Sequence, residues 1–230
     1  MNTASALLTE GINILRKSDE DIENLIAPRG GEIISLLERY KNEIELFNDA
    51  YGLVGTCDSR ELVIRHILDS LAPLGIISRL LAGTACQEDR PKIADAGSGA
   101  GLPGIPLAAA MPNCDFTLIE RMGRRAGFLC STTAILGLSN ITVEEGELEK
   151  TQNGRFALIT FRAFKPLDPK LLETLFKACA KGGVIAAYRG RLEKTQQEMQ
   201  PLGNACLWET IPYSVPFLEE QRHLLAIRAK

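Results

Sequence analysis

Ile93-Ala94-Asp95-Ala96-Gly97-Ser98-Gly99-Ala100-Gly101-Leu102-Pro103-Gly104 decides how this chain is read, because an apolar run reaches Asp95 and then breaks into four spaced glycines. Gly97, Gly99, Gly101 and Gly104 can take positive φ and carry no Cβ, so the turn can wrap a small molecule and aim amide donors at it. Pro103 and the following Ile105-Pro106-Leu107-Ala108 open a helix, since proline is tolerated in a first turn where its missing N–H costs nothing. Strand, glycine turn and helix in that order describe a nucleotide-type cofactor site.

The pattern admits more than one ligand. Residues 99–104 also satisfy the GxGxxG spacing of dinucleotide-binding folds, and short glycine patterns occur in plain structural turns as well. Asp115-Phe116-Thr117-Leu118-Ile119-Glu120 reads as the next strand and ends in an acid nineteen positions after Gly101. A carboxylate there can bind ribose hydroxyls. Nicotinamide dinucleotides and S-adenosylmethionine both carry such a ribose, so Glu120 points to an adenosyl ligand without choosing between them.

Outward from this turn the chain divides in two. Residues 1–90 read as a helical extension, with Ile33, Leu36, Leu37, Tyr40, Ile44 and Phe47 on one helical face and Glu38, Lys41 and Glu45 on another. A second helix over 61–71 turns Leu62 or Ile64, Ile67, Leu68 and Leu71 inward, and its His66, Asp69 and Ser70, related by i+3 and i+4 spacing, read as a polar cluster that braces the helix. Residues 87–91, Gln-Glu-Asp-Arg-Pro, read as the linker into the domain 91–230. Strands are expected near 92–95, 115–120, 141–144, 156–161, 183–188, 206–211 and 222–229, with helices near 103–111, 124–136, 167–180 and 192–200.

Alternation of this kind implies a mostly parallel seven-stranded sheet covered on both faces, an α/β architecture of the Rossmann-like type. Pro212, Pro216 and the Glu219-Glu220 pair leave no helix between the last two strands, which should therefore pair antiparallel. A parallel sheet ending in an antiparallel hairpin departs from the usual dehydrogenase plan and fits the class I S-adenosylmethionine-dependent methyltransferases.

With 45% hydrophobic and 24% charged residues in 230, the composition is that of a globular protein with one substantial core. The net charge of −3 hides a polarity. Residues 1–50 hold ten acids against five bases, whereas residues 151–200 hold nine bases against four acids. A basic segment can serve phosphate binding inside an acidic protein, because the local field attracts the polyanion. Six scattered cysteines without a CxxC pair and two distant histidines argue no metal site. With no leader-like start and no apolar run long enough to span a bilayer, the expectation is a cytoplasmic protein with reduced thiols and no membrane association.

These residues resemble the bacterial small-subunit ribosomal RNA guanine-N7 methyltransferase family, also called glucose-inhibited division protein B. The likeness is carried by Arg65-His66-Ile67-Leu68-Asp69-Ser70-Leu71, by Asp95 through Gly-Leu-Pro-Gly-Ile-Pro-Leu107, and by Phe128-Leu129 after Arg124-Arg125. It continues in Arg162-Ala163-Phe164 and Gln221-Arg222-His223-Leu224-Leu225. The resemblance implies S-adenosyl-L-methionine as cofactor, 16S ribosomal RNA or the small ribosomal subunit as partner, and a monomer.

Carried over position by position, it implies cofactor contacts at Gly97, Leu102, Leu148, Glu149 and Arg162, beside Gly99, Gly101 and Glu120 from the turn itself. Arg124, Arg125 and Arg189 are the expected RNA contacts, followed by Arg162, Lys165 and Arg191. Two positions depart from the family. Glu147 stands where its members usually carry arginine, and Arg189 where they usually carry lysine. Two further readings stand beside this one: a nicotinamide-dependent oxidoreductase using 99–104, and a non-catalytic ribosome-associated binding module.

Overall fold

The computed structural model describes residues 3–86 and 88–230; Gln87 of the expected linker lies outside the described residues. Among the described residues seven strands form one sheet: β1 Lys92–Ala96, β2 Asp115–Glu120, β3 Ile141–Glu145, β4 Phe156–Arg162, β5 Cys179–Arg189, β6 Cys206–Tyr213 and β7 Arg222–Ala229. Their order is β3-β2-β1-β4-β5-β7-β6. Pairs among β1 to β5 are parallel, while β7 pairs antiparallel with both β5 and β6. The terminal hairpin expected from the sequence is present, with β7 slotted in beside β5 and β6 left at the edge.

Among the described residues ten α-helices accompany the sheet: α1 Thr3–Ser18, α2 Glu20–Ile26, α3 Gly30–Tyr51, α4 Ser59–Glu61, α5 Asp69–Leu71, α6 Leu74–Ala82, α7 Gly104–Ala110, α8 Gly123–Leu136, α9 Pro169–Ala178 and α10 Leu192–Met199. Local chemistry sets several of their ends. Asp19 and Asp168 accept from the amides of Asp21 and Leu171 as N-caps, and Gly52 and Gly137 close α3 and α8 in the left-handed conformation.

Period-two alternation along the strands sends neighbouring side chains into different layers. Ile93, Leu118, Leu158, Val184 and Leu224 face a core shared with the amino-terminal helices, α7 and α8. Ala94, Ile119, Ile159, Ile185 and Leu225 face a second core closed by α9 and the segment around Met199 and Leu202. The amino-terminal helices are thus fused to the sheet through one continuous apolar layer.

One local departure bears on the site. The helix expected over 61–71 is wound as a π-helix from Leu62 to Leu68 between α4 and α5. Leu62, Val63, Ile64, Ile67 and Leu68 are all buried there, a denser apolar set than the expected α-helical stripe. Such segments recur at functional sites, and this one lies against the carboxyl ends of the strands.

Candidate cofactor and substrate site

The chain turns from β1 into α7 at the point where successive strands run to opposite sides, β2 to one side of β1 and β4 to the other. Ligands of open α/β sheets bind in the crevice outside the strand carboxyl ends at such a switch. Gly97, Gly99 and Gly101 all take positive φ, at 70°, 58° and 95°. A Cβ at Gly99 would meet only the Gly97 carbonyl, 4.0 Å away, so the space before the turn is open. The turn is held from behind and from both flanks. Gly97 donates to Ile119 O at 2.9 Å, and Tyr40 Oη donates to Ala100 O at 2.8 Å. Asp95, fully buried, accepts from the Gly104 amide at 2.9 Å through Oδ2, while its Oδ1 has no partner. Burial raises its carboxyl to about 7.

Two cavities of about 640 and 240 Å³ open at this turn and share Gly97, Arg125 and Ala163 in their walls. The smaller is lined by Glu120, Leu148, Glu149, Phe164 and the exposed Glu147. Glu120 is buried, and its two oxygens accept from the amides of Gly99 at 2.9 Å and Met122 at 2.8 Å. Leu148 is buried and apolar. Glu149 pairs with Lys165 at 3.2 Å on the rim, its carboxyl lowered first by a backbone hydrogen bond and then by that lysine. Phe164, half-buried against Phe161 at 5.8 Å, closes over Gly97.

The larger cavity takes Leu102, Arg162, Arg189 and the other face of the turn, together with residues whose part the sequence reading did not assign. Of the expected helix brace Ser70 supplies a part, its Oγ donating to His66 O at 2.6 Å, whereas the side chains of His66 and Asp69 turn to other elements. Arg162 Nη1 donates to Asp69 Oδ2 at 3.3 Å and its Nη2 meets His66 Nδ1 at 2.9 Å. Tyr213 Oη donates to Asp69 Oδ1 at 3.1 Å, with Arg222 Nε at 3.6 Å, while Tyr188 Oη donates to Ser70 O at 2.7 Å. The cluster therefore ties the π segment and the adjoining α5 to β4, β5, β6 and β7. Burial raises the Asp69 carboxyl against the pull of Arg162 and Arg222. Burial, then the charges of Arg162 and Arg65, push the His66 imidazole down to about 4. A buried acid and a polar Arg-His pair inside an apolar helix were the available signal for this network.

The three expected RNA contacts differ in setting. Arg124 is exposed. Arg125 is half-buried and donates to Gly52 O at 2.5 Å, between the cavities. Arg189 is 15% exposed, 3.5 Å from Glu198 and 5.6 Å over the Phe161 ring, with its guanidinium lowered by burial. It faces the inside of the larger cavity. Among the described residues no cluster of His, Cys, Asp and Glu could hold a metal ion, and no helix is long and apolar enough to cross a membrane.

Strand order, glycine turn and crevice define the class first: this is the Rossmann-like fold of S-adenosylmethionine-dependent methyltransferases. An Aquifex aeolicus SAM-dependent methyltransferase superposes with a TM-score of 0.53 at 14% identity, covering 74% of this chain and 93% of that one. A predicted O-methyltransferase of Agrobacterium tumefaciens superposes at 0.50 and 21% identity, covering 64% and 78%.

The family follows from sequence. The family model described as rRNA small subunit methyltransferase G matches residues 33–225, and the chain belongs to that family. Proteins named ribosomal RNA small subunit methyltransferase G are 36% identical over 227 residues in Treponema pallidum, covering 96% of this chain and 93% of that protein, and 35% identical over 205 residues in Cellvibrio japonicus, covering 88% and 89%. Neither the oxidoreductase reading of 99–104 nor the non-catalytic binding module finds support in these likenesses.

Proposed function

We propose that this protein transfers a methyl group from S-adenosyl-L-methionine to N7 of a guanine in 16S ribosomal RNA. The reading is carried by the family match over residues 33–225, laid on a glycine turn that opens into two cavities meeting at Gly97. The site's residues suit the cofactor. Three positive-φ glycines shape the turn, the space in front of Gly99 is free of side chains, and the summed space is of the size that small-molecule sites occupy.

In this reading the adenosine half lies in the smaller cavity, with Leu148 packed on the base and Glu149 near its amino edge. Glu120 holds the turn shut through the amides of Gly99 and Met122 and turns its remaining lone pairs to the ribose. Gly97, Gly99, Gly101 and Leu102 bring backbone close to the methionine half, and Arg162 borders it in the larger cavity. When bound, the cofactor supplies a methyl group activated on a sulfonium sulfur.

Guanine N7 carries a free lone pair on the major-groove edge and has no proton to lose, so the chain need not provide a general base. Its task is to exclude water and hold N7 in line with the methyl, a contribution that orientation alone can make large. Arg124 and Arg125 contact phosphate and set register, without reading sequence, and Arg189 meets the RNA from inside the larger cavity. The protein works as a cytoplasmic monomer on RNA or on assembled small subunits.

Small subunits from a strain lacking the corresponding enzyme, incubated with this protein and methyl-labelled S-adenosylmethionine, should gain 7-methylguanine detectable by mass spectrometry of the digested RNA. Gly97→Asp should abolish it. Label on another atom, or none, would refute the assignment.

A further inference from the structure

An arginine can only donate hydrogen bonds, so the 2.9 Å contact between Arg162 Nη2 and His66 Nδ1 settles which ring nitrogen is bare. Nδ1 holds the lone pair, and the proton of the neutral ring sits on Nε2. A second proton would have to be placed against the guanidinium. The groups that face the ring keep it neutral: Arg162 from β4 and Arg65 from its own segment carry positive charge, and the carboxylate of Asp69 is already taken by Arg162, Tyr213 and Arg222. His66 lines the larger cavity beside the glycine turn, and among the described residues no acceptor takes the Nε2 proton.

The proposed reaction sets narrow terms for whatever fixes the guanine. N7 must keep its lone pair free for the methyl, which leaves O6 as the remaining acceptor on that edge. A fork of two donors would cover N7 along with O6. A cationic donor would also oppose the positive charge that the base gains, since N7 takes the methyl without releasing a proton. One neutral N–H or O–H donor meets both terms. The other neutral side-chain donors of the cavity are engaged within the protein: Tyr188 on Ser70 O, Tyr213 on Asp69, Thr195 with His223, and Ser98 on Asp95 O.

We propose that His66 is a specificity-determining residue that donates from Nε2 to O6 of the target guanine, while Arg162 fixes its tautomer from behind. This rests on guanine N7 being the methyl acceptor, as proposed above. Replacing the target guanine by 2-aminopurine keeps N7 and deletes O6 together with the N1 proton; replacing it by hypoxanthine keeps N7, O6 and the N1 proton and deletes the 2-amino group. The experiment compares kcat/KM on reconstituted small subunits carrying each base, for the unaltered enzyme, His66→Asn and His66→Gln.

The unaltered enzyme should prefer guanine over 2-aminopurine by about tenfold or more, the effect of losing one hydrogen bond in a desolvated site, and should accept hypoxanthine nearly as well as guanine. Asparagine keeps an acceptor toward Arg162 but cannot reach the Nε2 position, so His66→Asn should bring the guanine to 2-aminopurine ratio close to one. Glutamine carries its amide N–H near that position, and His66→Gln should restore most of the ratio. A purely structural defect slows both substrates alike, so an unchanged ratio in His66→Asn overturns the assignment. Absence of methylation of guanine RNA by the unaltered enzyme would instead remove the activity on which the assignment rests.

Discussion

Tyr40 reaches out of α3 to donate to the carbonyl of Ala100 at 2.8 Å, a buried bond that joins the amino-terminal helices to the middle of the glycine turn. The helical layer thereby takes part in shaping the site. Tyr40→Phe keeps the ring in its core position and deletes the donor. It should cost about 1–2 kcal/mol in unfolding free energy and weaken S-adenosylmethionine binding several-fold, because the turn loses a support without losing a contact. Denaturant unfolding and titration calorimetry on the same variant check both. A variant that is destabilised with unaltered cofactor affinity would show that the bond serves the core alone.

Gly97 combines two constraints in one residue. Its φ is +70°, and a Cβ there would sit 2.8 Å from Phe164 Cε2 and closer still to Cδ2. Gly97→Ala should therefore push the Phe164 ring off the turn and add backbone strain of about 1 kcal/mol or more. Cofactor affinity should fall at least tenfold while the far-ultraviolet circular dichroism is retained. Since the clash is with a side chain, Gly97→Ala combined with Phe164→Ala should recover part of the loss, and the coupling in a double-mutant cycle measures how much of it is steric. Additive effects would place the whole cost in the backbone.

The parts legible in the sequence share one property, that their signal is local. The turn at 97–104 announces itself through glycine spacing, the strands through short apolar runs, and the final hairpin through prolines where a helix would be needed. Glu120 is found by its distance from the turn, although its hydrogen bonds to Gly99 and Met122 show it holding backbone, which spacing could not show. What stayed hidden depends on contacts far apart in the chain. Asp69 is satisfied by Arg162, Tyr213 and Arg222, and no periodicity brings those positions together. Read by itself, His66 through Ser70 looks like a helix brace. The π winding from Leu62 to Leu68 likewise leaves no mark in the helix patterning.

Asp95 makes stability depend on pH in a direction unusual for an acid. Burial raises its carboxyl to about 7 in the fold, against about 3.9 in an unfolded chain. The unfolded state therefore releases the proton first as pH rises. The stabilisation this group provides is complete below about pH 3.9, declines as pH rises towards 7 and is constant above that. Asp95→Asn keeps an acceptor for the Gly104 amide and removes the titration. Measured by urea unfolding, the stability of the unaltered protein relative to the variant should fall steadily from about pH 4 to pH 7 and then level. The depressed imidazole of His66 works oppositely, losing stability as pH falls through 6.5 towards 4, but it is common to both proteins and cancels in the comparison. A level difference across the range would mean that Asp95 is ionised in the fold.

Arg124 and Arg189 offer a test of how charge is used, because one is exposed and the other lies inside the larger cavity over Phe161. An exposed arginine on phosphate displaces counterions, so Arg124→Ala should reduce the slope of log affinity against log salt for RNA by about one. Its kcat at saturating RNA should hardly change. Arg189 is already partly desolvated and sits 3.5 Å from Glu198. Arg189→Ala should leave the salt slope nearly intact and lower kcat, since a cavity residue acts on the orientation of the base after the RNA has docked. Filter binding from low to moderate salt, paired with steady-state methylation, separates the two roles. Equal loss of slope in both variants would put Arg189 on the phosphate backbone with Arg124.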